Sequence, residues 1–209
     1  MGVILQGILG GFSGKVGPVV GGKWKDIDYM RGYVVPENPN TPAQQTVRTK
    51  FAKMVQFARS VLATILQPYW DPFYTNKSGF NAFISENYST LDGSNDLIAT
   101  SVMSKGTLEN LHSNTATYDT ANGQVGVVYS DAINGNGLTD DIVELVIYNK
   151  DTEIFYFGDT PTARADTIIS FNIPTGLTPT NIIAWVFCHR GTGVNLVVSD
   201  SIGDVCAAA

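Results

Sequence analysis

The residue patterns in this chain that could do chemistry each break at an identifiable position. Gly17 to Trp24, GPVVGGKW, has the spacing of a phosphate-binding loop as far as Lys23. The next residue should be Ser or Thr to hold magnesium, and it is Trp24; no helix signal follows to present amide groups to a phosphate. Glycines that permit a tight turn are the plainer reading. Asp131, Asn134, Asn136, Asp140 and Asp141 crowd one segment and invite a calcium loop. Aligned on an EF-hand with Gly137 at the turn, however, Ala132 and Val143 fall where carboxylates are required. An irregular calcium loop then competes with a plain turn. His112 and His189 lack neighbouring ligand sets. Cys188 and His189, adjacent on a strand, point to opposite faces and cannot act together as nucleophile and base. There is no G-x-S-x-G and no H-E-x-x-H. These readings assign no catalytic residue, no cofactor and no metal ligand, and the expectation is a protein that is not an enzyme.

The elements around these residues are clearer. From Pro39 to Leu66 several signals agree on a helix: Thr41 is an N-cap, Pro42 stands at the first helical position, and Gln44 completes a capping box. Val47, Phe51, Met54, Val55, Ala58, Val61, Leu62 and Ile65 form an apolar stripe that should be buried, and Pro68 should stop the helix. A shorter helix is expected from about Ser78 to Asn87, returning against the first, with Trp70, Phe73 and Tyr74 filling the corner. Tyr69, Trp70 and Tyr74 could also form a sugar platform, although buried corners are commoner. Before the helix, residues 1–36 read as an extended arm and a β-hairpin, with strands at 15–20 and 27–35 joined through Gly21, Gly22 and Trp24. Such a ribbon is marginal alone and must pack on something, and the apolar arm is best explained by insertion into a partner.

Beyond Asp96 the pattern becomes short β-rich runs between Gly, Asn, Asp and Thr clusters: 97–104, 107–111, 124–130, 141–149, 153–157, 166–173, 181–189 and 194–199. That spacing predicts an antiparallel β-sandwich of immunoglobulin or fibronectin type. Asn181 to Phe187 is apolar on both faces and should be central, with Trp185 in the core. The fold class is therefore α+β, organised as arm and hairpin (1–36), helical module (37–96) and sandwich (97–209).

Net charge is −6 over 209 residues, and it is polarised. Residues 1–97 carry nine Lys/Arg and seven Asp/Glu, whereas residues 98–209 carry four and twelve. The acidic half would repel a phosphate backbone, and the weakly basic half reads as a solvated face, so no nucleic-acid partner is expected. Two cysteines make no disulfide framework. The amino terminus has no basic n-region, glycines interrupt its apolar run, and Gln6 stands where myristoylation needs Ser or Thr. Cytoplasmic synthesis without a membrane anchor is expected.

Gly14-Lys15-Val16-Gly17, Val20, Trp24-Lys25, Arg31, then Asn38 to Gln44 and Val47-Arg48 with Phe51, resemble a family of uncharacterised proteins, a domain of unknown function found in Bacteroidota and their phages. The shorter pattern N-P-x-T-x-A-Q-x-x-V-R-x-x-F also resembles segments of proteins encoded among tailed-phage structural genes. Asp26 departs from the pattern, which would have glycine there. The resemblance brings no activity. It implies a virion or prophage-associated structural role: a capsid-decorating, head-fibre or tail-associated subunit, homo-oligomeric and in contact with other virion proteins. Trp24, Arg31, Pro39, Thr41, Gln44, Arg48 and Phe51 are the candidate assembly and structural residues, with Arg31 and Arg48 bracing the connector around Pro39. The alternatives are a carbohydrate- or protein-binding module, for which a surface glycan is a candidate partner, and a bacterial filament subunit in which the arm donates a strand.

Overall fold

Thr41 starts the first helix as its chemistry requires: Gln44 N donates to Thr41 Oγ1 and Thr41 N to Gln44 Oε1, each at 3.4 Å. The computed structural model describes residues 2–4, 13–25, 27–158 and 160–209, giving only the backbone for 2–4 and Val194. In it α1 spans Pro42–Ser60. The expected stripe is buried only from its middle onward. Met54, Ala58, Val61 and Ile65 are covered together with Phe57, but Val47 is 57 % and Phe51 51 % exposed. The larger unit's core takes in the stripe from Met54 on, whereas on the preceding turns Val47 and Phe51 stay outside it.

Pro68 does not stop the helix. Residues Leu62–Leu66 widen into a π turn, in which Leu66 N reaches Val61 O at 3.1 Å, and α2 follows at Gln67–Tyr69. Pro68 thereby falls in a new first turn, where its missing N–H is not required. The corner forms around Trp70, which stacks on Tyr74, meets Phe83 edge-on and donates its indole N–H to Met103 O at 2.8 Å, whereas Phe73, expected to help fill it, is 39 % exposed. α3, Gly79–Asn87, is capped by Ser78, whose Oγ accepts from Asn81 N.

The chain forms two compact units, 1–44 and 45–209. In the larger, β5 (Asn114–Asp119), β6 (Gln124–Tyr129), β10 (Ile168–Asn172) and β14 (Ala207–Ala208) form one sheet in the order β10-β6-β5-β14. A second sheet has the order β12-β11-β7-β8, built from β7 (Ile142–Asn149), β8 (Ile154–Phe157), β11 (Ile182–Arg190) and β12 (Val197–Val198). Here β9 (Thr162–Ala163) adds to β7 and β13 (Ile202–Val205) to β11. Pairing is antiparallel except between β14 and β5, which run parallel.

β11 is central, and its two faces serve two cores. Ile182, Ala184, Val186 and Cys188 meet Tyr118, Val125 and Val127 of the opposite sheet. Ile183, Trp185 and Phe187 pack instead with Met54, Phe57, Val61, Trp70 and Phe83 of the helices. Residues 45–209 therefore make three layers, sheet on sheet on helices, within an α+β fold.

Two expected strands are absent. Residues 97–104 are irregular although Leu97, Ser101, Met103 and Ser104 are buried, and 107–111 contributes only a bridge from Leu108 to Ser199. Side chains take the backbone bonds of the first segment. Trp185 Nε1 donates to Ala99 O, Trp70 Nε1 to Met103 O, Val102 N to Asn87 Oδ1 and Met103 N to Ser201 Oγ.

In the smaller unit β1 (Gly2–Ile4), β2 (Gly14–Val16), β3 (Val19–Trp24) and β4 (Ile27–Gly32) form an antiparallel sheet ordered β1-β4-β3-β2. The glycines at 21 and 22 lie inside β3 rather than in its connection. Gly22 faces Tyr29 across the ladder, and a Cβ there would meet the tyrosine hydroxyl at 2.9 Å. Turns fall instead at Gly17, with φ of 57°, and at Lys25, with φ of 45°. The arm is described only where Gly2–Ile4 pairs with β4; residues 5–12 and Asp26 lie outside the described residues.

Candidate functional site

The acidic segment 131–141 is an anion cradle, and the anion is the protein's own. Glu109 Oε1 accepts from Asn134 N at 2.6 Å, and its Oε2 from Gly135 N at 2.9 Å and Gly137 N at 3.1 Å. His112 Nε2 adds a contact at 2.9 Å. These donors, the backbone amide of Asn134 foremost, hold the carboxyl at about 2, well below its ordinary 4.5. Gly137 allows the close approach, since a Cβ would lie 2.7 Å from Arg164 Nη1 and 2.9 Å from Glu109 Oε2. Arg164 is fully buried and spends its guanidinium on carbonyls of Glu109, Asn110 and Ala132. Asp141 accepts from Leu138 N and pairs bidentately with Arg190. A calcium loop turns oxygens inward; here three amide hydrogens converge on a carboxylate. Among the described residues no group of three or more His, Cys, Asp or Glu could hold a metal ion.

A second constellation was not visible in the sequence. Glu144 Oε1 accepts from Tyr69 Oη at 3.1 Å and from His189 Nε2 at 3.2 Å. β7 supplies Glu144, β11 supplies His189 on the face opposite Cys188, and α2 supplies Tyr69. The Tyr69 ring lies 5.1 Å from both the Phe187 and His189 rings. Its hydroxyl is harder to ionise than usual, through burial first and the Glu144 charge second. Beside this trio opens a cleft of about 330 Å³ with walls from Pro68, Pro72, Thr192 and Leu196. The signal was Glu144 itself, a lone carboxylate inside the apolar run Ile142 to Tyr148. Trp70 and Tyr74, the other members of the considered sugar platform, belong to the corner instead.

The candidate assembly residues occupy one continuous stretch of chain. Trp24 ends β3 at 62 % exposure, with the Lys25 ammonium 5.1 Å from its ring. Arg31 is exposed on β4, in register with Val20, which pairs in turn with Lys15. Pro39, Arg48 and Phe51 are exposed, and Thr41 and Gln44 form the capping box.

The family model described as "family of unknown function (DUF6266)" matches residues 11–203. The chain belongs to this family. No curated protein matches it. The DUF6266 match reaches into both units, so strands β2 to β4 of the exposed sheet, the Glu109 cradle and the Tyr69–Glu144–His189 trio all lie within the matched residues. No described helix is long and apolar enough to cross a membrane.

Proposed function

We propose that this DUF6266 chain is a non-enzymatic structural subunit of a bacteriophage virion, a capsid-decorating, head-fibre or tail-associated protein. It is made in the bacterial cytoplasm and assembles with copies of itself and other virion proteins through its amino-terminal unit. The carrying observation is a sheet without a core: among the described residues 13–44 only Gly21 is buried. Val16, Trp24, Tyr33, Val34 and Val35 are all between 48 % and 75 % exposed. A small sheet that covers neither face leaves too much apolar surface in water to be stable alone, and burial against neighbours offsets that cost. A groove of about 600 Å³ among Lys15, Val20, Arg31, Tyr33, Val34 and Pro36 gives the surface the relief a partner can engage. Val47 and Phe51 extend the exposed apolar run along the sequence.

The shorter pattern from Asn38 to Phe51, which resembles segments of proteins encoded among tailed-phage structural genes, supports the same reading. The displayed part belongs, on this proposal, to the immunoglobulin or fibronectin class, for which two face-packed, mainly antiparallel sheets are the support. The test compares the full chain with a variant lacking residues 1–36 by analytical ultracentrifugation, and searches purified particles from the producing host by mass spectrometry. The full chain should oligomerise and be found in particles, while the shortened chain stays monomeric with its far-ultraviolet spectrum retained. A full chain that is monomeric at every concentration, with slow amide exchange in residues 14–32, overturns the assembly reading; absence from all particles overturns the virion.

A further inference from the structure

We propose that the groove of the amino-terminal sheet receives the loop 131–140 of a second copy of this chain, so that copies join head to tail. This names a partner for the assembly surface, and it rests on the reading that the surface assembles.

The groove is basic and apolar at once. Lys15 pairs with Val20 across β2 and β3, and Val20 with Arg31 across β3 and β4. Directly paired residues share a face, so the two cations flank Val20 about 10 Å apart, two strand spacings. Tyr33, Val34 and Pro36 add apolar surface to the same groove of about 600 Å³, and the Lys15 ammonium lies 3.6 Å from the centre of the Tyr33 ring. No carboxylate is among the described residues that line it, and Lys15 and Arg31 enter none of the described ion pairs. The matching surface is one that sets acids beside aliphatic side chains.

Residues 45–209 hold sixteen Asp/Glu against nine Lys/Arg, but most of these carboxylates are used internally. Among the described ones, all but Asp131 and Asp140 accept a hydrogen bond or pair with a cation. Those two stand exposed on one loop, with Ile133 at 38 % and Leu138 at 47 % exposure between them. Arg190 feels the Asp140 charge but is spent bidentately on Asp141. Residues 131–141 contain no Lys or Arg. Two unspent acids around two exposed aliphatics are the complement of the groove. The loop is also shaped in advance, because the Glu109 carboxylate holds the Asn134, Gly135 and Gly137 amides, and a preformed loop lowers the ordering cost of docking. Two such loops would repel each other, whereas groove and loop are different surfaces and every copy carries both. The contact therefore repeats from copy to copy, as a ring or a filament.

The experiment reverses the charge on each side in the full chain and follows sedimentation. Lys15→Glu with Arg31→Glu, and separately Asp131→Lys with Asp140→Lys, should each weaken self-association at least about tenfold. All four residues are exposed, so the thermal midpoints should stay those of the natural protein. An equimolar mixture of the two variants should associate again, because each reversed groove then meets a reversed loop and each natural groove a natural loop. Where a reversal lowers the midpoint, Arg31→Gln and Asp140→Asn replace it singly, each weakening association about twofold to fivefold. Association that survives substitution of the loop, or a mixture that stays dissociated, overturns the proposal. If deleting residues 1–36 still abolishes assembly in that case, the amino-terminal reading stands with another partner. A full chain that is monomeric at every concentration ends both.

Discussion

Glu109 organises its loop by charge, and the consequence is a pH dependence with a definite sign. Its folded value of about 2 lies below the ordinary 4.5, so its contribution is fully present above pH 4.5 and is lost as pH falls through 2. In thermal melts Glu109→Gln should lower the midpoint at pH 7, and the gap to the natural protein should close between pH 4.5 and 2. Exchange of the Asn134, Gly135 and Gly137 amides should speed up in the variant at neutral pH. A gap that stays constant down to pH 2 would show that the carboxylate is not what holds the loop. None of this was legible in the sequence, because Glu109 lies 25 to 28 residues from the amides it binds. Asp131 and Asn134 drew attention to the loop as a metal site, whereas the group that matters enters from outside it.

At the scale of the element, α1 divides into an exposed start and a buried remainder, and two phenylalanines separate the halves. Phe57 is 1 % exposed, edge-on to Tyr148 at 5.5 Å and to Phe155 at 6.3 Å. Phe57→Ala should cost about 3–5 kcal/mol. Phe51→Asp, at 51 % exposure, should change the stability of residues 45–209 by no more than about 0.5 kcal/mol while disturbing oligomerisation. Urea unfolding with sedimentation on the same samples checks both. Periodicity could not distinguish these residues, since it marks an apolar face without saying how far along that face a partner extends. The capping box was legible because both its groups lie within three residues, and the central strand because Ile182 to Phe187 is apolar on both faces. Residues 97–104 were misread for the opposite reason. Their composition suits a strand, but the groups that take their backbone bonds, on Trp70, Trp185 and Ser201, are remote in sequence. The Tyr69–Glu144–His189 trio is hidden similarly, with 75 and 45 residues between the bonded pairs.

For residues 45–209 taken whole, the decisive feature is that β7 and β11 belong to both cores. Val143, Leu145 and Ile147 face the opposite sheet while Val146 and Tyr148 face the helices, and β11 alternates in the same way. Neither core can open without exposing the other side of the same two strands, so the larger unit should unfold in one step. The two cysteines report on this directly. Cys188 and Cys206 are free, at 0 % and 1 % exposure in the core between the sheets, and burial pushes both thiols up to about 12. Cys188 lies in central β11, whereas Cys206 follows the short edge strand β13 and is held by its N–H to Ile182 O at 2.9 Å. If the unit is cooperative, a small disulfide reagent should label both thiols at one rate, the rate of global unfolding, despite their different places in the sheets. Removing residues 1–36 should leave that rate unchanged, since no residue of the amino-terminal unit belongs to either described core. Faster labelling of Cys206 than of Cys188 would mean that β13 opens by itself, and that the sharing of β11 does not bind the whole unit into a single transition.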